Sequence, residues 1–382
     1  MSNHFRTLSE RLRAEEPAAP RAFRCQCGRP IFFRNSLCLN CKTPLGYETE
    51  RLELFPLKPG ATDGTWNLWY DDSRVEYRRC ANFDTAAGCN WLLRADEPLA
   101  QAGASGLCIA CRLNHTIPDL TSEVNQRHWG LMELAKRRLV SQLLGLGLPV
   151  RSKLGEDPEH GLMFDMLEQQ PGGPPVMTGH DEGLITLNLA EADDSERERI
   201  RSQMKEPYRT LLGHFRHEVG HYYWDLLVRD SAWLPHVREL FGDDCMDYAE
   251  ALKRNYEQGP PADWRTRFIS TYASCHPWED WAETWAHYLH MVDTVDTALS
   301  FGIHAADVEL EVEPWTREAL WRPDDPDADA FLHFVNAWVE LTAVLNEMSR
   351  SMGQPDFYPF VLPKPTVAKL QMIHLIVQGA EP

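Results

Sequence analysis

His217-Glu218-Val219-Gly220-His221 is the run in this 382-residue chain best equipped to do chemistry. Histidines four apart stand one turn plus about 40° apart on a helix, so both imidazoles face the same way. That spacing lets two neutral imidazoles hold one zinc ion. Glu218 falls on the adjacent flank, where it can take the proton of an attacking water as general base. A catalytic zinc needs three protein ligands and an open position. A third histidine in the metzincin pattern would require Gly at 224 and His at 227, but Trp224 and Leu227 stand there. Downstream, Glu279 and Glu283 lie four apart behind Pro277. On a helix, Trp278, Trp281 and Trp285 share an arc of about 60°, and Glu279, Glu283 and His290 share another. The tryptophan arc suits a core and the glutamate arc a metal. Spacing alone leaves both glutamates open as the third ligand. Asp225, four residues after His221, could orient a ligand imidazole or be an ordinary exposed acid. His214 reads as a polar lining residue.

Eight of the ten cysteines lie before residue 112. Cys25-Gln-Cys27-Gly28 with Cys38-x-x-Cys41 forms one set, and Cys80, Cys89 and Cys108-x-x-Cys111 form a second. The N-terminus carries no apolar signal segment, so a cytoplasmic setting is expected, in which thiols stay reduced. Short-spaced cysteine pairs then read as two four-thiolate zinc sites. The one-residue gap between Cys25 and Cys27 departs from the usual two, and His115 could replace a cysteine in the second set. Cys245 and Cys275 read as buried thiols.

The elements that must position these groups follow a charge and cysteine gradient. Residues 1–120 hold 15 basic and 14 acidic side chains, whereas residues 121–382 hold 23 and 43. The division expected is a flexible leader (1–22), a zinc-ribbon module with two zinc sites (23–120) and a catalytic domain (121–382). The fold class is α+β, a small β-rich ribbon module followed by a mainly helical domain with a small sheet. Helices are expected over about 121–146, from a capping box at Ser195 and Glu198 to Met204, from Pro207 to Val228, from Pro277 to Leu299, and over 328–352 and 366–377. Val124, Leu131, Leu134, Leu139 and Leu143 form the apolar stripe of the first. Strands are expected over 161–167 and 183–189. No apolar run is long enough to span a membrane. The net charge of −19 argues against a nucleic-acid partner.

His-Glu-x-x-His followed by Glu-x-x-Ala-Glu on a second helix resembles the gluzincin class of zinc peptidases and is similar to the protease domain of anthrax lethal factor. There a tyrosine lies seven residues before the ligand glutamate, as Tyr272 lies before Glu279. Residues 23–382 resemble a bacterial family of zinc-binding metallopeptidases with an N-terminal zinc ribbon. The resemblance implies His217, His221 and Glu279 as zinc ligands and Glu218 as general base. It implies Tyr272 as oxyanion stabiliser and Glu283 behind a ligand imidazole. It also implies that the strand at 183–189 is a sheet edge that aligns substrate by strand addition. One catalytic and two structural zinc ions are expected. The substrate is a peptide or protein, with a basic one suited to the acidic half. A protein partner for the ribbon is a second expectation, and its sharpest rival form is a ribbon adaptor that uses the peptidase fold as a scaffold.

Overall fold

Gly, Pro and cysteine repeatedly interrupt the apolar runs before residue 120, so the chain there forms short strands and sharp turns. A computed structural model describes residues 8–101, 105–204 and 206–382. After a short helix α1 (Leu8–Arg13), β1 (Ala22–Arg24) and β2 (Pro30–Phe32) pair as an antiparallel hairpin. Gly28 makes its turn at φ +82°, a conformation natural to glycine. Then β3 (Leu45–Glu48), β4 (Glu53–Pro59), β5 (Trp66–Leu68), β6 (Tyr77–Arg79) and β7 (Leu92–Arg94) form a sequential antiparallel sheet. Phe55, Leu57, Leu68, Tyr77 and Leu92 are its core.

A second sheet contains β8 (Asn114–Thr116), β9 (Met163–Leu167), β10 (Gly179–Asp181) and β11 (Leu184–Asn188) in the order β10-β11-β9-β8. β11 runs parallel to β9 and closes a hairpin with β10 through Glu182 and Gly183, both at positive φ. A Cβ at Gly183 would lie 2.2 Å from the Gly161 carbonyl oxygen, so the turn requires glycine. The strand expected at an edge is therefore internal. Leu184–Thr186 pair on both sides, which removes the strand-addition role from this segment.

Between β8 and β9 runs α2 (Glu123–Gly145), capped by the Ser122 hydroxyl accepting from the Asn125 N–H. Its buried face keeps Leu139 and Leu143 of the expected stripe but not Val124 and Leu131, which are exposed. The face turned inward carries Trp129, Met132, Glu133, Lys136, Arg137, Leu139 and Val140. Polar members are tolerated there because they are partnered: Arg137 donates to the Ala87 carbonyl at 2.8 Å and Lys136 contacts Glu133 at 2.7 Å. Helix α3 (Asp194–Met204) is capped by Asp193, which accepts from the Ser195 and Glu196 N–H groups at 2.8 and 3.0 Å, not by Ser195.

The remaining helices are α4 (Leu211–Leu227), α5 (Leu234–Phe241), α6 (Tyr248–Gln258), α7 (Pro277–Ser300), α8 (Ala328–Ser351) and α9 (Lys364–Val377). Thr210, whose hydroxyl accepts from the Gly213 N–H at 3.0 Å, starts α4 in place of Pro207. Pro277 does open α7, and His276 caps it, Nδ1 accepting from the Trp278 N–H at 3.0 Å. By contacts the chain divides into one compact unit of residues 19–200 and another of residues 201–382 with the segment ending at Ala18. The first seven residues of the expected leader lie outside the described residues. The rest is tied down: the Ala18 N–H donates to Asp296 at 3.0 Å, and Glu15 meets His304 at 2.6 Å.

α7 is the buried axis of the second unit. Trp281 and Trp285 are fully buried, with ring centroids 5.8 Å apart. The Trp281 indole donates to the Gly220 carbonyl on α4 at 2.8 Å. A Cβ on Gly220 would lie 3.0 Å from Ala282 Cα, so this glycine lets the two helices approach closely. A buried Asp280–Lys369 pair at 2.5 Å ties α7 to α9. Among the described residues no helix is long and apolar enough to cross a membrane.

Candidate metal centres

The close crossing of α4 and α7 brings three metal-binding atoms together. His217 and His221 sit one turn apart on α4, and Glu279 lies in the first turn of α7. Glu279 Oε2 is 3.0 Å from His217 Nε2 and 3.6 Å from His221 Nε2. A tetrahedral zinc with arms of about 2.0–2.1 Å needs ligand–ligand edges of about 3.3–3.4 Å, so the set fits the ion. Glu279 is 1% exposed, and its Oε2 is buried against the two imidazole nitrogens. A buried carboxylate oxygen facing two imidazole nitrogens in this way is suited to a cation. Burial works to raise the Glu279 carboxyl, but the two imidazoles outweigh it and hold it well below the usual range.

Glu283 lies one turn further along α7, on the far side of His217. Its Oε1 is 2.8 Å from His217 Nδ1, and its Oε2 accepts from the Ser270 hydroxyl at 2.6 Å. Of the two glutamates, only Glu279 joins the cluster with both Nε2 atoms. A carboxylate on Nδ1 fixes the tautomer in which Nε2 presents its lone pair. Burial lowers the His217 pKa, but the bonds to Glu279 and Glu283 more than reverse this and raise it well above its ordinary value.

Glu218 is buried beside both histidines, and that burial raises its pKa. The Tyr272 ring stands 5.9 Å from the His217 ring, and burial followed by the Glu279 charge pushes the phenol upward, so it stays a donor. Asp225, one turn after His221, meets Arg229 at 2.5 Å. Three neighbours carry no signal in the local sequence pattern. Ser270 is one. Trp278 leaves the expected core arc and packs against His221 with ring centroids 4.1 Å apart. Tyr248, at the start of α6, donates to Glu279 Oε1 at 2.5 Å. His290, expected on the glutamate arc, instead lies 2.6 Å from Arg216.

The eight cysteines form two clusters within the first unit. Cys25, Cys27, Cys38 and Cys41 converge at the β1–β2 turn, with Cys25–Cys41 and Cys27–Cys38 sulfurs 3.6 and 3.8 Å apart. Cys80, Cys89, Cys108 and Cys111 converge with a Cys89–Cys108 separation of 3.6 Å, and all four are buried. Zinc with four sulfurs at about 2.3 Å has edges of about 3.8 Å, so both clusters fit. His115 is engaged by Asp165 at 2.8 Å, while four cysteines complete the second set. Burial pushes the Cys25, Cys89 and Cys108 thiols up, whereas donors around Cys41 and Cys80 favour thiolate there. The Thr43 hydroxyl, 3.1 Å from Cys41, pulls that thiol down to about 6, and the Cys108 N–H points at Cys80 from 3.4 Å. The Cys111 sulfur lies 3.8 Å from Glu133, whose other oxygen faces Lys136. Cys275 is buried, whereas Cys245 is exposed and takes a bond from Arg238. Asp243, Asp244 and Cys245 also converge, but on the surface, where Arg238 engages Asp244 at 2.5 Å.

Residues 22–122 match a zinc-ribbon domain model. Residues 125–376 match a family described as "Putative zinc-binding metallo-peptidase". Uncharacterized proteins of Mycobacterium bovis and of Mycobacterium tuberculosis strain H37Rv are each 41% identical over 364 residues, covering 95% of this chain and 96% of theirs. No solved structure matches the chain. With two thiolate clusters in a β-rich ribbon region and a His-Glu-x-x-His helix in the mostly helical remainder, the chain belongs to this zinc-binding metallopeptidase family.

Proposed function

We propose that the protein is a gluzincin-type zinc peptidase holding one zinc ion on His217, His221 and Glu279 and one in each cysteine cluster. The observation that carries this reading is the convergence of two imidazole nitrogens and one buried carboxylate oxygen beside Glu218. Bound zinc would supply Lewis acidity toward the scissile carbonyl and its attacking water. Glu218, its pKa raised by burial, takes the water's proton and passes it to the leaving amine. The Tyr272 phenol donates to the carbonyl oxygen as negative charge develops there. Glu283, held by Ser270, keeps His217 in the ligating tautomer.

The substrate is a peptide or protein, and the acidic excess after residue 120 favours basic segments. The ribbon reaches a protein partner through the exposed Phe32, Leu37 and Leu39 beside the first cluster. Metal analysis with peptide-library profiling tests the whole reading. Three zinc ions per chain, two in His217→Ala, and cuts near Lys or Arg are expected. An unchanged metal count in His217→Ala would refute the histidine centre.

A further inference from the structure

Glu279 uses its two oxygens differently. Oε2 faces the two imidazoles, while Oε1 accepts from the Tyr248 hydroxyl at 2.5 Å. Tyr248 is itself held from two sides. Its ring packs edge-on against His276, the cap of α7, at 5.2 Å and against Trp278 at 5.8 Å. Those residues flank the turn that carries Glu279, so the phenol and the carboxylate share one rigid frame. A hydrogen bond to a carboxylate is among the stronger kinds, and a buried one is not readily exchanged for water.

We propose that Tyr248 is a positioning residue that restricts Glu279 to ligation through Oε2 alone and so keeps a coordination position open. The proposal rests on the reading of Glu279 as a ligand. A carboxylate with both oxygens free can chelate, and the second oxygen would then add a fifth donor beside the water, in the position a catalytic site needs free to expand into when substrate arrives. Removing the phenol hydroxyl frees Oε1 without disturbing the ring that packs on His276 and Trp278. The expected result is a metal held as well or better, with one more donor and less reactivity. A hydroxyl that served only packing would leave the metal's donor count unchanged.

The test uses the full chain with cobalt exchanged into the histidine centre, zinc kept in the cysteine clusters and His217→Ala as the blank. Four-coordinate cobalt absorbs visible light several times more strongly than five-coordinate cobalt. Tyr248→Phe is expected to bind one equivalent of cobalt with a severalfold weaker band. Its kcat should fall about 10–100-fold at little change in KM. Tyr248→Gln, which restores a donor, should regain part of the band. An unchanged band in Tyr248→Phe overturns the proposal, and so does loss of cobalt, since the hydroxyl would then serve binding rather than its geometry. A wild-type band identical to the blank would instead refute the histidine centre itself.

Discussion

The cysteine clusters and the histidine centre solve opposite problems with similar tools. In the second cluster four buried thiols converge, enough to fill every position of a tetrahedral ion, and Glu133 and Lys136 lie beside them. In the histidine centre three side chains that could hold a metal converge, and the adjacent groups are a raised-pKa carboxylate and a phenol. The contrast teaches that ligand number alone does not define a reactive site. A closed sphere stabilises the fold, whereas an incomplete one next to a base and a donor can turn over substrate. The scaffolds differ accordingly. The clusters are strung along turns between short strands, while the histidine centre is built on two long packed helices.

Breaking the closed side should have the largest effect. Cys108→Ser is expected to lose one zinc and on the order of 10 kcal/mol of metal-coupled folding free energy. Hydrogen exchange should then report loss of protection across residues 19–200. Retained protection would mean that the second cluster is not structural. Next in size is Lys136→Met, which leaves the Glu133 carboxylate buried beside Cys111, at about 3–5 kcal/mol in chemical denaturation. Replacing both members by apolar residues should recover most of that loss. Gly220→Ala probes the helical side. Its Cβ would crowd Ala282, and about 1–3 kcal/mol of stability should go, together with weaker zinc binding at the histidine centre alone.

The smallest effect is one of pH. In the metal-free protein His217 is protonated above its ordinary range, so zinc must displace a proton at neutral pH. Affinity at the histidine centre should therefore rise about tenfold per pH unit until His217's raised pKa is passed, then level off. Competition with a metal indicator measures this, and a flat profile from pH 6.5 upward would contradict it.

Local spacing makes part of this architecture legible in the sequence. His217 with His221, and Glu279 with Glu283, are each one helical turn apart, and Pro277 marks the start of α7. Sequence does not reveal what depends on packing between distant segments. Tyr248 lies 31 positions before the Glu279 it contacts, and no periodicity links them. The buried face of α2 departs from its apolar stripe at Val124 and Leu131, because a partnered Glu133 and Lys136 take inner positions in place of apolar residues. The resemblance implies a sheet edge at 183–189, and β10, the strand that lies outside it, is only three residues long with no alternating run to reveal it.

The central claim is that Glu218 drives hydrolysis at the histidine centre. The direct measurement is peptide cleavage by full-length wild type against Glu218→Gln at equal zinc content. A rate about 10²–10⁴-fold lower in the variant, with all zinc retained, is the predicted result. Equal cleavage by the two proteins would contradict it.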